Sequence, residues 1–503
     1  MRTGFCVTAL AALALLAGPA FAQSFFPARD AAAVNPDVQL KLTFSQPPVV
    51  GKAGQIRIYD AADDKLVDTL DLSIPSGPTE RNTVPAPYIA TPYDYNQPRH
   101  SNADTKAGTP SGGAEPTPNS YQLDIIGGFT DGFHFYPAIV NGDTATLQPH
   151  HNLLQYGKSY YVQIDPGVLT ADGFAGVTGK AWRFTTKARG PKADATKVVV
   201  SADGTGDFNT VQGAVDFTPD HGTRRITILV RNGIYDELVY FRNKANLTIQ
   251  GEDRDRTVVR YANNEVFNPH PVNIATNEWP GTFPSRRAAF AVDHSDDIHL
   301  RNMTIATTLK GQAEGLLLNG SRNILDHVSV IGSGDAIQVN GPTYIVDSAI
   351  TGDGDSILGR GPIFLERCAM RSNGAFMWIR NTDANHGAIF KSCSFTGTGA
   401  QPTEIARAPG NNARTYPFAE VVLLNATLSN ISAVGWGPAD TGGKLHYWEY
   451  DSRDPSGAPV DVSGRAAYSR QLDKSKDAKL ISDYSSPAFV LGGWTPRLEA
   501  SAK

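Results

Sequence analysis

Two aspartates, Asp335 and Asp355, stand at the same offset in two successive strand-like repeats of this sequence. Each follows an apolar strand end by five residues, Val330 in the first repeat and Ile350 in the second. Their separation of 20 residues is about one coil of a parallel β-helix, in which equivalent positions stack roughly 4.8 Å apart. Two carboxylates that close cannot both ionise cheaply, so one keeps a proton while the other is charged. The spacing therefore predicts an acid and a nucleophile made from one residue type.

The elements that must position this pair form a repeat that follows residue 193. Apolar, alternating segments begin near Ile298, Asn323, Thr343, Pro362, Ala388 and Val421. The early segments recur at a period of roughly 20–25 residues, and one strand-and-turn unit at such a period is typical of a β-solenoid. Aligning the repeats places small or apolar residues in one column that should face inward: Met303, Val328, Ser348, Cys368, Cys393 and Ala426. We expect an all-β protein with a right-handed parallel β-helix over residues 189–497.

Residues 23–188 have a different pattern. Short alternating strands at 38–44, 55–59 and 159–164 are separated by Pro, Gly and Asp, as in a β-sandwich. The stretch from about 75 to 120 is rich in Pro, Gly, Ser, Thr and Asn, which predicts a long loop. Residues 188–193 are the expected linker to the β-helix.

The first 22 residues have the pattern of a secretory signal peptide. Arg2 provides the positive start, an apolar stretch runs from Val7 to Ala17, and Ala20-Phe21-Ala22 is a small-x-small cleavage site. The apolar stretch is short for a membrane span. We expect a monomeric protein without a membrane span, secreted or periplasmic after cleavage near Ala22.

Export would leave two cysteines, Cys368 and Cys393, in the same register of successive repeats. Adjacent coils bring equivalent Cα atoms within disulfide range, and exported proteins meet oxidising conditions. We expect a disulfide between them, with two free buried thiols as the alternative.

Composition excludes several classes of function. The chain has 503 residues, enough for two or three domains, and a formal net charge of −5, which argues against a nucleic-acid partner or an anionic membrane surface. It contains no G-x-S-x-G nucleophile elbow. Its eleven histidines show no metal-type spacing, and no carboxylate cluster has the spacing of a calcium-dependent lyase.

Further segments stand in a fixed order between residues 197 and 494. They are Ala202-Asp203-Gly204-Thr205-Gly206-Asp207-Phe208, Gly233-Ile234-Tyr235-Asp236-Glu237, Gly251-Glu252-Asp253-Arg254-Asp255-Arg256-Thr257-Val258 and His446-Tyr447-Trp448-Glu449-Tyr450. Each is weak alone, but in this order and spacing, around the two aspartates, they resemble the pectin methylesterase family. The region before them resembles bacterial Ig-like domains through Leu42-Thr43-Phe44-Ser45 and Trp182-Arg183-Phe184-Thr185-Thr186, which implies an Ig-like β-sandwich without chemistry of its own.

The resemblance implies a role for each site residue. Asp355 would be the nucleophile that attacks the ester carbonyl. Asp335 would be the general acid that protonates departing methanol and then the base that activates water. Arg407 would hold Asp355 ionised through two parallel hydrogen bonds, and Gln312 would donate an amide N–H to the oxyanion. The family needs no metal or other cofactor.

The chain departs from the family pattern at four site positions. Gly334 replaces a glutamine that is the family's second oxyanion donor, and losing one such donor can cost about 10²–10³ in rate. Ser356, Leu358 and Pro409 stand where the family has aromatic residues, and we expect these three to contact the substrate.

Three functions follow as expectations. The first is an exported esterase that removes methyl esters from a uronic-acid polysaccharide, with pectin as the substrate and partner. The second is a related esterase or thioesterase with another acyl substrate, because the replaced positions would leave a wider and less aromatic pocket. The third is a catalytically silent protein that binds a polysaccharide on the same β-helix.

Overall fold

The computed structural model describes residues 24–80, 112–113, 121–127, 133–171, 173–268, 286–410, 415–439 and 444–499. The predicted signal peptide with its cleavage site near Ala22, and most of the loop predicted at 75–120, lie outside these residues. Within the described ranges, no helix has both the length and the apolar character that a bilayer crossing requires.

The N-terminal part consists of two main sheets around one core. Its strands are β1 (Ser24–Phe26), β2 (Ala31–Val34), β3 (Leu40–Thr43), β4 (Val49–Val50), β5 (Gln55–Asp60), β6 (Leu66–Asp71), β7 (Gly112–Gly113), β8 (Leu123–Ile125), β9 (Phe133–His134), β10 (Ala138–Asn141), β11 (Thr144–Leu147), β12 (Ser159–Ile164), β13 (Leu169–Thr170) and β14 (Arg183–Thr186). The sheet order is β1-β3-β11-β10 in one layer and β2-β14-β12-β5-β6 in the other. Alternate residues such as Leu42, Ile58 and Val162 point into the shared core, as a two-layer sandwich requires. The Ig-like assignment stays a prediction.

The remaining residues wind into a parallel β-helix. Its strands are β15 (Lys197–Val200), β16 (Ile226–Val230), β17 (Gly233–Asp236), β18 (Val239–Arg242), β19 (Ala245–Gly251), β20 (Thr257–Tyr261), β21 (Phe290–Asp293), β22 (Asp296–Thr307), β23 (Leu316–Asn319), β24 (Asn323–Ile331), β25 (Ile337–Val339), β26 (Thr343–Val346), β27 (Ala349–Gly352), β28 (Ile357–Gly359), β29 (Ile363–Glu366), β30 (Ala369–Ser372), β31 (Met377–Ile379), β32 (Ala388–Lys391), β33 (Ser394–Gly397), β34 (Glu420–Leu424), β35 (Thr427–Ser429), β36 (His446–Tyr450) and β37 (Arg470–Gln471). The helices are α1 (Val211–Phe217), α2 (Lys474–Tyr484) and α3 (Pro487–Val490). The predicted linker at 188–193 falls between β14 and β15.

Successive coils of the β-helix pair in parallel, so that around the site each residue lies beside its equivalent on the next coil. One coil places β25 in a six-stranded sheet (β18-β21-β23-β25-β28-β31) and β26 and β27 in a 17-stranded sheet, and the next coil repeats this with β28, β29 and β30. The paired residues include Ile337 with Ile357, Thr343 with Ile363 and Ala349 with Ala369. The expected fold class, all-β with a parallel β-helix, is confirmed.

The inward column predicted from the repeats is also observed. All six of its residues, from Met303 to Ala426, are buried. The residues that directly precede this column share a left-handed backbone with φ between 48° and 56°, and they are Asn302, His327, Asp347, Arg367, Ser392 and Asn425. A single left-handed residue turns the chain sharply, so each coil bends at the same place and the column stays aligned.

The disulfide predicted within this column is wrong, because Cys368 and Cys393 are separate, buried thiols. The backbone N–H of Cys368 donates to the Cys393 sulfur at 3.3 Å. Side chains at equivalent positions of parallel strands leave the sheet in the same direction, about 4.8 Å apart, whereas a disulfide needs Cβ atoms about 3.8 Å apart. Equal register therefore brings the thiols into contact without the geometry for a bond.

We expect the thermal unfolding midpoint to be the same with and without a reductant, since no bond between these thiols is present to break. Burial raises the pKa of the Cys393 thiol, so the native protein should also resist thiol reagents until it unfolds. Recovery of a crosslinked Cys368–Cys393 peptide from a non-reducing digest would contradict this.

The N-terminal sheets are fixed to the first coils of the β-helix by hydrogen bonds and by apolar packing. Asp37 accepts the backbone N–H groups of Asn209 and Thr210 at 2.8 and 2.9 Å, just before α1. Phe133 packs against Tyr240, whose hydroxyl donates to the carbonyl of Ala288 at 2.7 Å. The N-terminal part thus supports the segment beginning at residue 286, which leads into the site described next.

Candidate active site

The two aspartates occupy equivalent places on neighbouring coils. Each lies two residues before a strand of the six-stranded sheet, Asp335 before β25 and Asp355 before β28, and the first residues of these strands pair directly. Burial raises the pKa of Asp335, and the negative charge of Asp355 raises it further. Such an electrostatic effect requires the two carboxylates to be close. The neighbouring placement predicted from the spacing is therefore present in the structure.

Asp355 is held in an unusual backbone conformation and paired with a cation. Its φ is 44°, in the left-handed region that few residues other than glycine adopt. The Arg407 Nη1 atom lies 2.8 Å from its Oδ2. Both side chains keep some solvent contact, with 22% of Asp355 and 37% of Arg407 exposed. The predicted pairing is present, although one hydrogen bond joins the groups rather than two.

Arg407 reaches the site because its backbone continues the six-stranded sheet. Ala406 forms a parallel bridge with Met377 of β31, and the Arg407 N–H donates to the Met377 carbonyl at 3.1 Å. The guanidinium then lies over the ring of Trp378, 4.8 Å from its centroid. An aromatic face attracts a cation, so Trp378 helps to hold Arg407 against Asp355.

Asp335 is more deeply buried, with 9% of its side chain exposed. Burial is the main reason that its pKa rises to about 7, and the charges of Glu314 and Asp355 raise it further, while Arg287 and Arg380 act in the opposite direction. Below about pH 7 this carboxyl keeps its proton. Asp335, with its raised pKa, thus lies beside Asp355 and the Arg407 partner of Asp355, and their roles as acid and nucleophile stay a prediction.

A second arginine, Arg287, touches three neighbours of the site at once. Its Nη2 lies 2.7 Å from Asp335 Oδ2. Its Nη1 donates to Gln312 Oε1 at 2.6 Å. Its Nε donates to both oxygens of Glu314 at 2.7 and 2.8 Å. The side chain of Gln312 is thus beside Asp335, where an oxyanion donor is expected.

Gly334 leaves no room for the glutamine of the family pattern. Its φ is 68°, and a Cβ atom built there would lie 2.7 Å from the carbonyl oxygen of Gly311. Such a distance is far below ordinary contact between non-bonded carbon and oxygen, so a side chain at residue 334 would require the backbone to move. The departure from the family pattern is therefore built into the local fold.

The three expected substrate contacts have different surroundings. Ser356 stays a prediction as a substrate contact: it is buried, and its hydroxyl donates to Ser372 Oγ at 2.9 Å. Leu358 stays a prediction: it pairs with Gln338 and Trp378 in one row of the six-stranded sheet. Pro409 is also buried, and its carbonyl accepts the Trp378 indole N–H at 3.0 Å.

Sequence reasoning missed three residues of this site: Arg287, Glu314 and Trp378. Trp378 has a sequence signal, since it follows Leu358 by one coil and therefore lies in the same row. Glu314, fully buried, follows Gln312-Ala313 directly, and a charged residue just before the apolar strand β23 is a second signal. Arg287 has none, because its segment precedes β21 without a recognisable motif.

Two other groups of carboxylates, near the site and beyond it, have ordinary surroundings. Asp353 lies in the turn between β27 and β28 and accepts from Lys310 Nζ and Ser333 Oγ, both at 3.0 Å. Metal ligands were not expected. Asp326 and His327 of β24 and Asp347, between β26 and β27, bring ligand atoms within 4.8 Å of one another. Acidic groups of this kind are common at protein surfaces, and we assign no metal to them.

Comparison with known proteins identifies similar chains. The family model described as Pectinesterase matches residues 197–493. "Probable pectinesterase/pectinesterase inhibitor 42" of Arabidopsis thaliana is 28% identical over 311 residues, which cover 59% of this chain and 56% of that protein. "Probable pectinesterase 30" of Arabidopsis thaliana is 27% identical over 332 residues, covering 62% and 63%. The chain thus spans little more than half the length of these curated relatives.

Solved structures with a similar fold carry related names. "Pectin methylesterase from Carrot" has a TM-score of 0.48 and 20% identity, and the match covers 61% of this chain and 95% of that one. "Pectin methylesterase PemA from Erwinia chrysanthemi" has a TM-score of 0.46 and 19% identity, covering 61% and 100%.

Proposed function

This chain belongs to the pectinesterase family, and from that premise we propose that it hydrolyses the methyl esters of a uronic-acid polysaccharide, with pectin as its substrate. One observation carries the proposal: a carboxyl with a pKa of about 7 lies on the coil next to a carboxylate that an arginine holds. Such a pair supplies a proton donor and a nucleophile in one cleft. The signal-peptide pattern further supports a secreted or periplasmic enzyme.

The first half of the reaction forms a covalent intermediate. A carboxylate oxygen of Asp355 attacks the ester carbonyl carbon, and the carbonyl oxygen becomes an oxyanion that accepts a hydrogen bond from the Gln312 amide. Asp335 gives its proton to the methoxy oxygen, methanol leaves, and an anhydride joins Asp355 to the uronate.

The second half restores the enzyme. Asp335, now ionised, takes a proton from a water molecule, and the resulting hydroxide attacks the carbonyl of the anhydride. The bond to Asp355 breaks, the product departs as the uronic acid, which then loses its proton to the solvent, and Asp335 is again protonated. Arg407 stays beside Asp355 throughout and stabilises it as the leaving carboxylate.

The direct test is to incubate the purified full chain with methyl-esterified pectin and to measure methanol. We expect continuous release with loss of ester groups from the polymer. Binding to pectin without methanol release would overturn the proposal and establish a silent binding protein instead.

A second candidate, an esterase with another acyl substrate, is favoured by the inward turn of Ser356 and by Leu358 in place of an aromatic residue. These two positions leave less aromatic surface for a sugar ring. A panel of small esters, thioesters and methylated polysaccharides distinguishes the two functions, since a pectin esterase should be fastest on the methylated uronate polymer.

The activity should fall as the pH rises through about 7. Asp335 must hold its proton to release methanol, and its pKa is about 7, so kcat/KM is expected to drop about tenfold per pH unit well above that value. The measurement is kcat/KM on pectin between pH 4 and 9 at constant ionic strength. A kcat/KM that stays constant or rises up to pH 9 would contradict this assignment.

A further inference from the structure

Arg287 and Glu314 form a largely buried ion pair beside Asp335, and we propose that this pair positions Gln312 and Asp335 for ester hydrolysis. The inference rests on the function proposed above and assigns the part of the site that Gly334 leaves without a side chain. The exposed fraction is 13% for the Arg287 side chain and zero for Glu314.

The guanidinium of Arg287 is fixed by Glu314 and then determines where its neighbours lie. Glu314 accepts from Nε with both oxygens, at 2.7 and 2.8 Å. A guanidinium is planar and rigid, so the directions of Nη1 and Nη2 follow once Nε is held. Nη1 is directed at Gln312 and Nη2 at Asp335, at 2.6 and 2.7 Å.

The contact with Gln312 determines which end of its amide faces the reacting ester. An amide has an acceptor oxygen and a donor NH2 group, and Arg287, which only donates, occupies the oxygen. The NH2 group of Gln312 is therefore turned away from the guanidinium and is available to an oxyanion. Gln312 is otherwise exposed, so without Arg287 its amide would be free to rotate.

The contact with Asp335 raises an electrostatic problem that Glu314 solves. A lone cation as close to Asp335 as the Arg287 guanidinium would favour the ionised form and spoil a general acid. Glu314 neutralises that cation. Burial does most to raise the pKa of Asp335, and the charge of Arg287 lowers this pKa. The charge of Glu314 raises it again and so opposes the effect of Arg287. The pair thus orients Asp335 with a hydrogen bond and adds no net charge. Three other charged groups surround the pair and Asp335. Asp355 and Arg380 act on Asp335 directly, and Glu265 lies 3.8 Å from Arg287.

A purely structural role explains the pair less well. Replacing a buried ion pair by apolar residues of similar size is often neutral or stabilising, so stability alone gives little reason to bury these charges. Here each of the three guanidinium nitrogens contacts a different side chain. Two of these side chains, Gln312 and Asp335, take part in the proposed reaction.

The test compares the pH dependence of kcat/KM in three variants. Glu314→Gln leaves the Arg287 charge uncompensated, so the fall of kcat/KM at high pH should move about one pH unit lower. The double variant Arg287→Met with Glu314→Gln removes both charges. It should move this fall to a higher pH than in the wild type, because Arg287, which contacts Asp335 directly, is lost. Arg287→Lys keeps the charge without the planar fork, so kcat should decrease about 10²-fold with little change in KM and in the position of the fall.

The proposal is supported if the fall of kcat/KM at high pH moves to lower pH in Glu314→Gln and to higher pH in the double variant. If this fall stays at the same pH in both variants and the activity is only uniformly lower, the proposal is overturned in favour of a structural role. Thermal unfolding identifies any variant that fails to fold. Of the three variants, the double variant should fold most reliably, because it leaves neither partner of the ion pair buried with an unpaired charge. The carboxyl ¹³C shift of Asp335 follows the same titrations without turnover. If the wild type releases no methanol, the proposed function fails, whereas the titrations still decide whether the pair controls Asp335.

Discussion

Asp355→Asn is expected to lower kcat on methyl-esterified pectin by a factor on the order of 10⁵, as removal of a nucleophile does in other covalent hydrolases. The amide has the same shape as the carboxylate, and its oxygen can still accept from Arg407, so the site should keep its geometry. What is lost is the anionic oxygen that forms the anhydride, because a neutral amide oxygen is a poor nucleophile.

The matched control for this variant is Asp353→Asn. Asp353 is the same residue type on the same turn, but it is paired with Lys310 and Ser333 rather than with Arg407. We expect it to keep activity within a few-fold of the parent. Both variants should unfold at nearly the parental temperature, and methanol release by Asp355→Asn at more than a tenth of the parental rate would remove Asp355 from the mechanism.

Asp335→Asn is expected to reduce kcat on pectin by roughly 10²–10⁴, the usual contribution of a general acid or base. Asparagine can still accept from Arg287, so the change removes the transferable proton and leaves the hydrogen bond. Without that proton, methoxide must leave as an anion, and the later attack of water loses its base.

The leaving group of the ester separates this role from that of Asp355. An ester whose alcohol leaves easily as an anion needs no proton, so Asp335→Asn should release the first equivalent of alcohol quickly and then turn over slowly. Asp355→Asn should show no such burst with the same ester. An equal loss of activity for Asp335→Asn on both kinds of ester, without a burst, would contradict its assignment as the general acid.

Much of the fold could be read from the sequence because a β-helix repeats its constraints locally. Each coil needs its own inward residues and its own turn, so the column from Met303 to Ala426 and the offset of Asp335 and Asp355 are visible as a period. The parallel register then follows, since each strand pairs with its equivalent on the next coil. Nothing outside the repeat is needed to place the two aspartates side by side.

The disulfide prediction was wrong because register alone does not determine the direction in which a side chain points. Cys368 and Cys393 are equivalent in register, yet their side chains run parallel and stay unbonded. Ser356 follows Asp355 directly, but the left-handed backbone of Asp355 turns it inward, toward Ser372. In both cases the deciding quantity is the orientation of a Cα–Cβ bond, which spacing does not encode.

The sequence by itself therefore determined the coil, the neighbouring placement of Asp335 and Asp355 and, through its family pattern, the arginine beside Asp355. Only the tertiary structure decided how the Asp335 side chain is held. Arg287 precedes β21, Glu314 precedes β23 and Asp335 precedes β25, so the three residues lie on three successive coils. Contacts between coils of this kind depend on side chains that are far apart in sequence and follow no period. Folding brings them together, and the low dielectric of the buried site then makes their charges act strongly on one another.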